Sequence, residues 1–123
     1  MRRSGCMLGL AMLLAGCSDT TPEPAFRGMY SEGFEVSGFT PCGGGRDAWL
    51  YDNDDQLHAA KSLIAGQRNR FNQPYPHVYV EFDGVDEGKG SEGFPADYDR
   101  VIRVTRLRTV SPDAPAGCVY SLE

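Results

Sequence analysis

The chain has 123 residues, with 12 basic and 17 acidic side chains, a formal charge of −5 and 41% hydrophobic residues. Once a short apolar N-terminus is set aside, one small core is all that it can build. The acidic excess argues against a nucleic-acid binder, which needs basic side chains to neutralise phosphates.

Arg2 and Arg3 open the chain, Met7 to Ala15 is an apolar run, and small residues lead into Cys17. The run is too short to span a bilayer, which takes about 20 residues, and its flanks are those of an export signal. Leu14-Ala15-Gly16-Cys17 resembles the lipobox of bacterial lipoproteins, which implies lipidation of the Cys17 sulfur, cleavage before Cys17 and several acyl chains, palmitate among them, on that residue. The alternative is ordinary signal cleavage that leaves Cys17 a free thiol. Residues 1–16 are thus expected to be a removed lipoprotein signal peptide and 17–25 a lipidated tether. Residues 26–123 are expected to be the folded domain. Ser18, where an Asp would favour inner-membrane retention, points to the outer membrane and a periplasm-facing protein rather than the inner membrane. Without Arg2 and Arg3 the mature chain has 10 basic against 17 acidic residues, a charge of −7.

Cys6 leaves with the signal and Cys17 takes lipid, so Cys42 and Cys118 remain, and in an oxidising compartment they are expected to pair. Such a bridge would close nearly the whole domain, worth roughly 4 to 5 kcal/mol in the chain-entropy model. A metal pair is the competing reading, but there is no C-x-x-C, and neither His58 nor His77 stands at ligand spacing from a cysteine. No metal and no cofactor are expected.

From Phe26 to Phe39, apolar residues interleave with polar ones, and Phe34 and Val36 alternate with Glu35 and Ser37. This predicts one long strand or two short ones, with Gly33 and Gly38 marking bulges or bends. Pro41 to Arg46 is a glycine-rich turn. It is not a phosphate cradle, because Ala48-Trp49-Leu50-Tyr51 follows as a strand rather than a helix. Asp52 to Asp55 cap a helix with Leu57, Ala60 and Ile64 on one face and Gly66 just past its end. Arg68 to Pro76 reads as a loop, Val78 to Phe82 as the clearest alternating strand, and Gly84 to Asp97 as a solvated, flexible connection. Tyr98 to Val110 is rich in β-branched residues and reads as a strand with a bulge near Thr105, although its spacing of three also admits a helix. Val119 to Leu122 could add a short edge strand. The pattern is mainly β, an OB-like barrel of five strands with one short helix.

Gly33-Phe34-Glu35-Val36-Ser37-Gly38-Phe39-Thr40-Pro41-Cys42, Trp49-Leu50, Val78-Tyr79-Val80-Glu81 and Tyr98-Asp99-Arg100-Val101-Ile102-Arg103-Val104 together resemble a group of small uncharacterised bacterial lipoproteins. Their domain is similar to the C-terminal OB-like domain of the envelope-stress lipoprotein NlpE. The resemblance covers about two-thirds of the mature chain and implies the fold more than the function. The C-x-x-C pair and the separate N-terminal domain linked to copper in NlpE-like proteins are missing from this chain, so copper handling is not implied.

Gly90-Ser91-Glu92-Gly93 is not G-x-S-x-G, neither histidine has a triad partner in sequence, and the acidic pairs lie in glycine-rich stretches. No enzyme is expected. The candidate binding residues are Trp49 and Tyr51 on one strand and Arg103 and Arg106, with Arg108, on the last. OB barrels bind oligomers across such a face by stacking and cation attraction. The opposing reading buries Trp49 in the core and pairs the arginines with Glu81 or Asp83. The expected protein is therefore a monomeric, lipid-anchored, non-catalytic envelope domain that binds an envelope protein or polysaccharide. The alternative is a small periplasmic hydrolase or a lysozyme-inhibitor-like protein presenting a protruding acidic loop such as Asp83 to Glu92, with the net charge steering it to a cationic enzyme.

Overall fold

Alternating apolar residues and well-placed turn chemistry produce seven elements in the computed structural model, which describes residues 23–72 and 75–118. The expected signal, the Cys17 anchor, most of the tether and the possible strand at Val119 to Leu122 lie outside the described residues. The strands are β1 (Phe26–Gly33), β2 (Val36–Pro41), β3 (Ala48–Tyr51), β4 (His77–Gly88) and β5 (Arg100–Ser111). Helix α1 (His58–Phe71) separates β3 from β4, and a one-turn 3-10 helix (Phe94–Asp97) precedes β5.

The strands close into a barrel in the order β1-β2-β3-β5-β4, with β3 and β5 parallel and every other pair antiparallel. This is the OB-like barrel read from the sequence. Tyr30, Phe39, Leu50, Val80, Phe82 and Ile102 point inward and are fully buried. Phe82 packs edge-on to Phe39 with ring centroids 5.0 Å apart and stacks on Phe26 at 5.2 Å. Each such buried side chain contributes on the order of 1.5–3 kcal/mol. Leu57 at the N-cap of α1 and Ala60 and Ile64 within it are buried, where α1 packs on β4 and β1. The acidic cap expected of Asp52 to Asp55 does not form: Leu57 is the N-cap residue and no side chain caps the helix, while the Asp52 carboxylate accepts the Leu57 backbone N–H at 2.7 Å and holds the turn that leads into α1.

Several boundaries differ from the sequence reading. Of the two readings of Phe26 to Phe39, the two short strands form and the single long one does not: Gly33 pairs with Val36 across a two-residue hairpin turn, which breaks the alternation at Phe34 and Glu35. Glu35 takes the left-handed conformation there, and Phe34 is left 81% exposed at the tip. Gly33 and Gly38 are not bulges. A Cβ at Gly33 would lie 2.8 Å from the Tyr75 ring and one at Gly38 3.3 Å from the Tyr98 ring, so both glycines make room for a tyrosine.

Helix α1 runs through Gly66 to Phe71 instead of ending at Gly66. The Arg68 guanidinium donates to the Glu32 carbonyl at 2.6 Å and holds the last turn against β1, and Asn72 supplies the left-handed cap. Strand β4 also continues, to Gly88, through what reads as a solvated connection. Gly84 lets β4 pass close to β5, where a Cβ would lie 2.7 Å from the Arg103 carbonyl, and the carboxylates on either side of it, Asp83, Asp86 and Glu87, find arginines on β5. The bulge near Thr105 is present: Asp83 pairs with Arg106 and Gly84 with Val104, leaving Thr105 without a register partner. Cys42 and Cys118 form the expected disulfide, with Cα atoms 4.5 Å apart across 76 residues of sequence.

Candidate functional site

The short strand β3 shapes the site. In register, Gly38 faces Trp49 and Phe39 faces Ala48, but the ladder stops there, and Val36 and Ser37 do not pair with Tyr51 and Leu50. The two strands part, and their freed backbone groups are taken by side chains. The Ser37 hydroxyl donates to the Leu50 carbonyl at 2.6 Å and lies 3.2 Å from the buried Tyr30 hydroxyl, while the Ser37 backbone N–H donates to the Tyr98 hydroxyl. Burial pushes the Tyr30 phenol far up, so its hydroxyl keeps its proton as part of this inner brace.

The opening is a cleft of about 330 Å³ on the outer β2–β3 face, beside the β1–β2 hairpin. Glu32, Glu35, Trp49, Tyr51, Asp52 and Lys61 supply its chemistry, with Gly33, Val36, Ser37 and Leu50 as its walls. OB barrels use this face together with the β1–β2 and β4–β5 loops for ligands. The β4–β5 loop is held beside it: the Lys89 ammonium donates to the carbonyls of Ala96 at 2.6 Å and Tyr98 at 2.9 Å. Tyr98 then sits edge-on to Trp49, ring centroids 5.5 Å apart. Burial raises the Tyr98 phenol above its ordinary pKa, the Ser37 N–H partly opposing the shift.

Trp49 is neither in the core nor fully exposed. It projects outward on β3, half-buried, because the inward positions are taken by Ala48 and Leu50. Tyr51 is its neighbour on the same face, and β3 sets Tyr51 opposite Arg103 in parallel register. Both reach Glu87: the Tyr51 hydroxyl donates to one carboxylate oxygen at 2.7 Å and Arg103 Nε to the other at 3.1 Å. The hydrogen bond to Glu87 raises the Tyr51 phenol. Of the residues expected to bind, Trp49 and Tyr51 therefore line the cleft, and Arg103 braces its edge. Arg106 is elsewhere, opposite Asp83 on the far side of the Thr105 bulge.

The opposing reading of the arginines is met in part. Arg108 pairs with Asp83 at 2.8 Å, whereas Glu81 accepts a hydrogen bond from the Tyr79 hydroxyl. The Arg108 hydrogen bond holds the Asp83 carboxyl below its ordinary range. Asp86 is held low chiefly by the Gly88 backbone N–H, with Arg100 assisting at 3.1 Å. Asp83, Asp86 and Glu87 are thus strand residues joined to arginines, and the protruding acidic loop expected at Asp83 to Glu92 is absent from its first half.

No family model, curated protein or solved structure matches this chain. The site accordingly stands on its own chemistry. Neither histidine lines the cleft, and its serine gives its proton to a carbonyl rather than to a base. Among the described residues no group of three or more His, Cys, Asp or Glu side chains is placed to hold a metal ion, and no helix is long and apolar enough to cross a membrane.

Sequence reasoning missed Tyr98, Glu32, Glu35 and Lys61. A signal for Tyr98 was present: a glycine at Gly38 inside an apolar strand marks a place where something approaches closely. The carboxylates carried no such mark, because Glu35 read as the polar face of a continuous strand.

Proposed function

We propose that this protein is a lipid-anchored cell-envelope domain that acts by binding, without catalysis, through the cleft where β2 and β3 part. One observation carries the reading: an OB-like barrel opens its ligand face and sets two aromatic side chains, Trp49 and Tyr51, into the opening. Aromatic walls with a few convergent polar groups are the usual make-up of a recognition site. Ser37, the only hydroxyl nucleophile of the serine or threonine type in the lining, is committed to Leu50 and Tyr30, which favours binding over chemistry. The ligand belongs to the envelope, either a protein or a polysaccharide. The lipobox at Leu14 to Cys17 and the resemblance to NlpE-type OB-like domains supply that setting.

The sole tryptophan of the chain makes the test direct. Envelope glycan fragments and envelope-protein peptides are titrated while Trp49 fluorescence and backbone amide shifts are followed. Saturable changes at Trp49, Tyr51 and the 32–37 hairpin are expected. Changes confined to other faces, or none with either class, would refute the reading. Separately, Cys17→Ala should release the protein from the membrane fraction.

A further inference from the structure

Resting on the reading of the cleft as a binding site, we infer that its ligand is cationic: the lysine or arginine side chains of an extended basic segment on a protein partner. Charge complementarity argues for this. The lining carries three carboxylates, Glu32, Glu35 and Asp52, against one ammonium, Lys61. Asp52 is engaged by the Leu57 backbone N–H ahead of α1, whereas no hydrogen bond or ion pair among the described residues engages the carboxylates of Glu32 and Glu35, which line the opening. The arginines nearby offset only part of this charge, and the carboxylates stay in excess. Arg103 is held by Glu87, and Arg68 is turned to the Glu32 carbonyl oxygen.

The aromatic walls point the same way. Trp49 and Tyr51 present π faces whose negative quadrupole attracts a cation, most strongly in the case of tryptophan. Tyr51 is pinned through its hydroxyl to Glu87, and Trp49 is braced by Tyr98, so the faces are positioned before the ligand arrives. A neutral glycan would gain stacking and hydroxyl hydrogen bonds to the carboxylates but no opposite charge to balance them, whereas an ammonium or guanidinium group supplies both the hydrogen bonds and the charge. An extended segment fits the geometry, because the cleft follows the line along which β2 and β3 separate. The exposed ring of Phe34 at the hairpin tip offers apolar contact to the residues beside the cation.

The test uses the purified full chain, with Trp49 fluorescence reporting the binding of a blocked hexapeptide carrying lysine at alternate positions. Its N-acetyl-lysine counterpart and N-acetylglucosamine tetramer are the neutral probes. The lysine peptide should bind saturably and weaken with added salt, and the neutral probes should bind at least roughly tenfold more weakly. Glu32→Gln with Glu35→Gln should weaken lysine-peptide binding roughly tenfold, while Asp54→Asn with Glu92→Gln, removing equal charge elsewhere, should leave it unchanged. Lys61→Gln should tighten it, a gain that a folding defect cannot produce. Equal losses from both carboxylate pairs, or no gain at Lys61, would overturn the inference by reducing it to net charge. Tighter binding of the glycan at Trp49 would overturn the cationic class while leaving the binding site standing, and silence with every probe would remove both.

Discussion

Cutting the Cys42–Cys118 bridge by replacing both cysteines with serine should cost this domain a large part of its stability. The bridge ties the end of β2 to the end of the described chain across 76 residues, enclosing β3, α1, β4 and β5. In the chain-entropy model a loop of that length is worth about 4.5 kcal/mol at 25 °C, against a total of about 5–15 kcal/mol for a natural domain. The corresponding drop in Tm is on the order of 20 °C for a domain of this size. Urea unfolding of the disulfide-bonded chain and the double variant, followed by circular dichroism, measures the difference. The slope of stability on urea should rise in the variant, because its unfolded chain exposes more surface, while native spectra and Trp49 emission stay alike. A loss below about 1 kcal/mol with an unchanged slope would mean that the barrel closes well enough without the bridge, and the entropic argument would fail.

Other outcomes test the packing and the charges. A Cβ added at Gly28 would lie 2.2 Å from the Thr40 carbonyl oxygen, whereas one at Gly66 meets nothing within 4 Å. Gly28→Ala should therefore destabilise by about 1–3 kcal/mol, and Gly66→Ala, in the interior of α1, should stabilise by about 0.5–1 kcal/mol, both read from thermal melts. Asp83 is held below its ordinary pKa by Arg108, so its folded form binds a proton less readily than its unfolded form, which titrates at about pH 3.9. Its contribution to stability is present above that unfolded value and is lost as pH falls through the lower folded one. Asp83→Asn should flatten the acid limb of the stability profile, and an unaltered limb would show that the pair adds nothing.

The barrel was legible because its core follows a simple period. Val78, Val80 and Phe82 alternate with polar neighbours, and one α1 face reads Leu57, Ala60, Ile64, so strand and helix announce themselves through burial. What the sequence concealed are features set by partners distant along the chain. Gly66 resembles a helix end, but the contact of Arg68 with Glu32, 36 residues away, carries α1 onward. Asp83, Asp86 and Glu87 resemble loop acids until Arg108, Arg100 and Arg103 on β5 are set beside them. The cleft was half visible for the same reason: its aromatics stand out in composition, whereas its opening depends on where the β2–β3 ladder stops, which no local pattern encodes.

The direction of the cleft relative to the chain end yields a final expectation. Strand β1 begins where the tether enters, with the Ala25 backbone N–H bonded to Asp83, and ends at Gly33 in the cleft wall. Its eight residues span about 23 Å, so tether and cleft lie at opposite ends of the strand. If Cys17 carries the lipid, the nine residues from Cys17 to Ala25 can reach about 30 Å when extended. The domain can then stand with its cleft turned away from the bilayer and open to ligands in the aqueous space. Lipids brominated in their acyl chains quench tryptophan on close approach, so Trp49 of the anchored protein in such vesicles should emit as it does in the soluble Cys17→Ala form. Strong quenching would place the β2–β3 face against the membrane, with the bilayer covering the cleft that a partner would need.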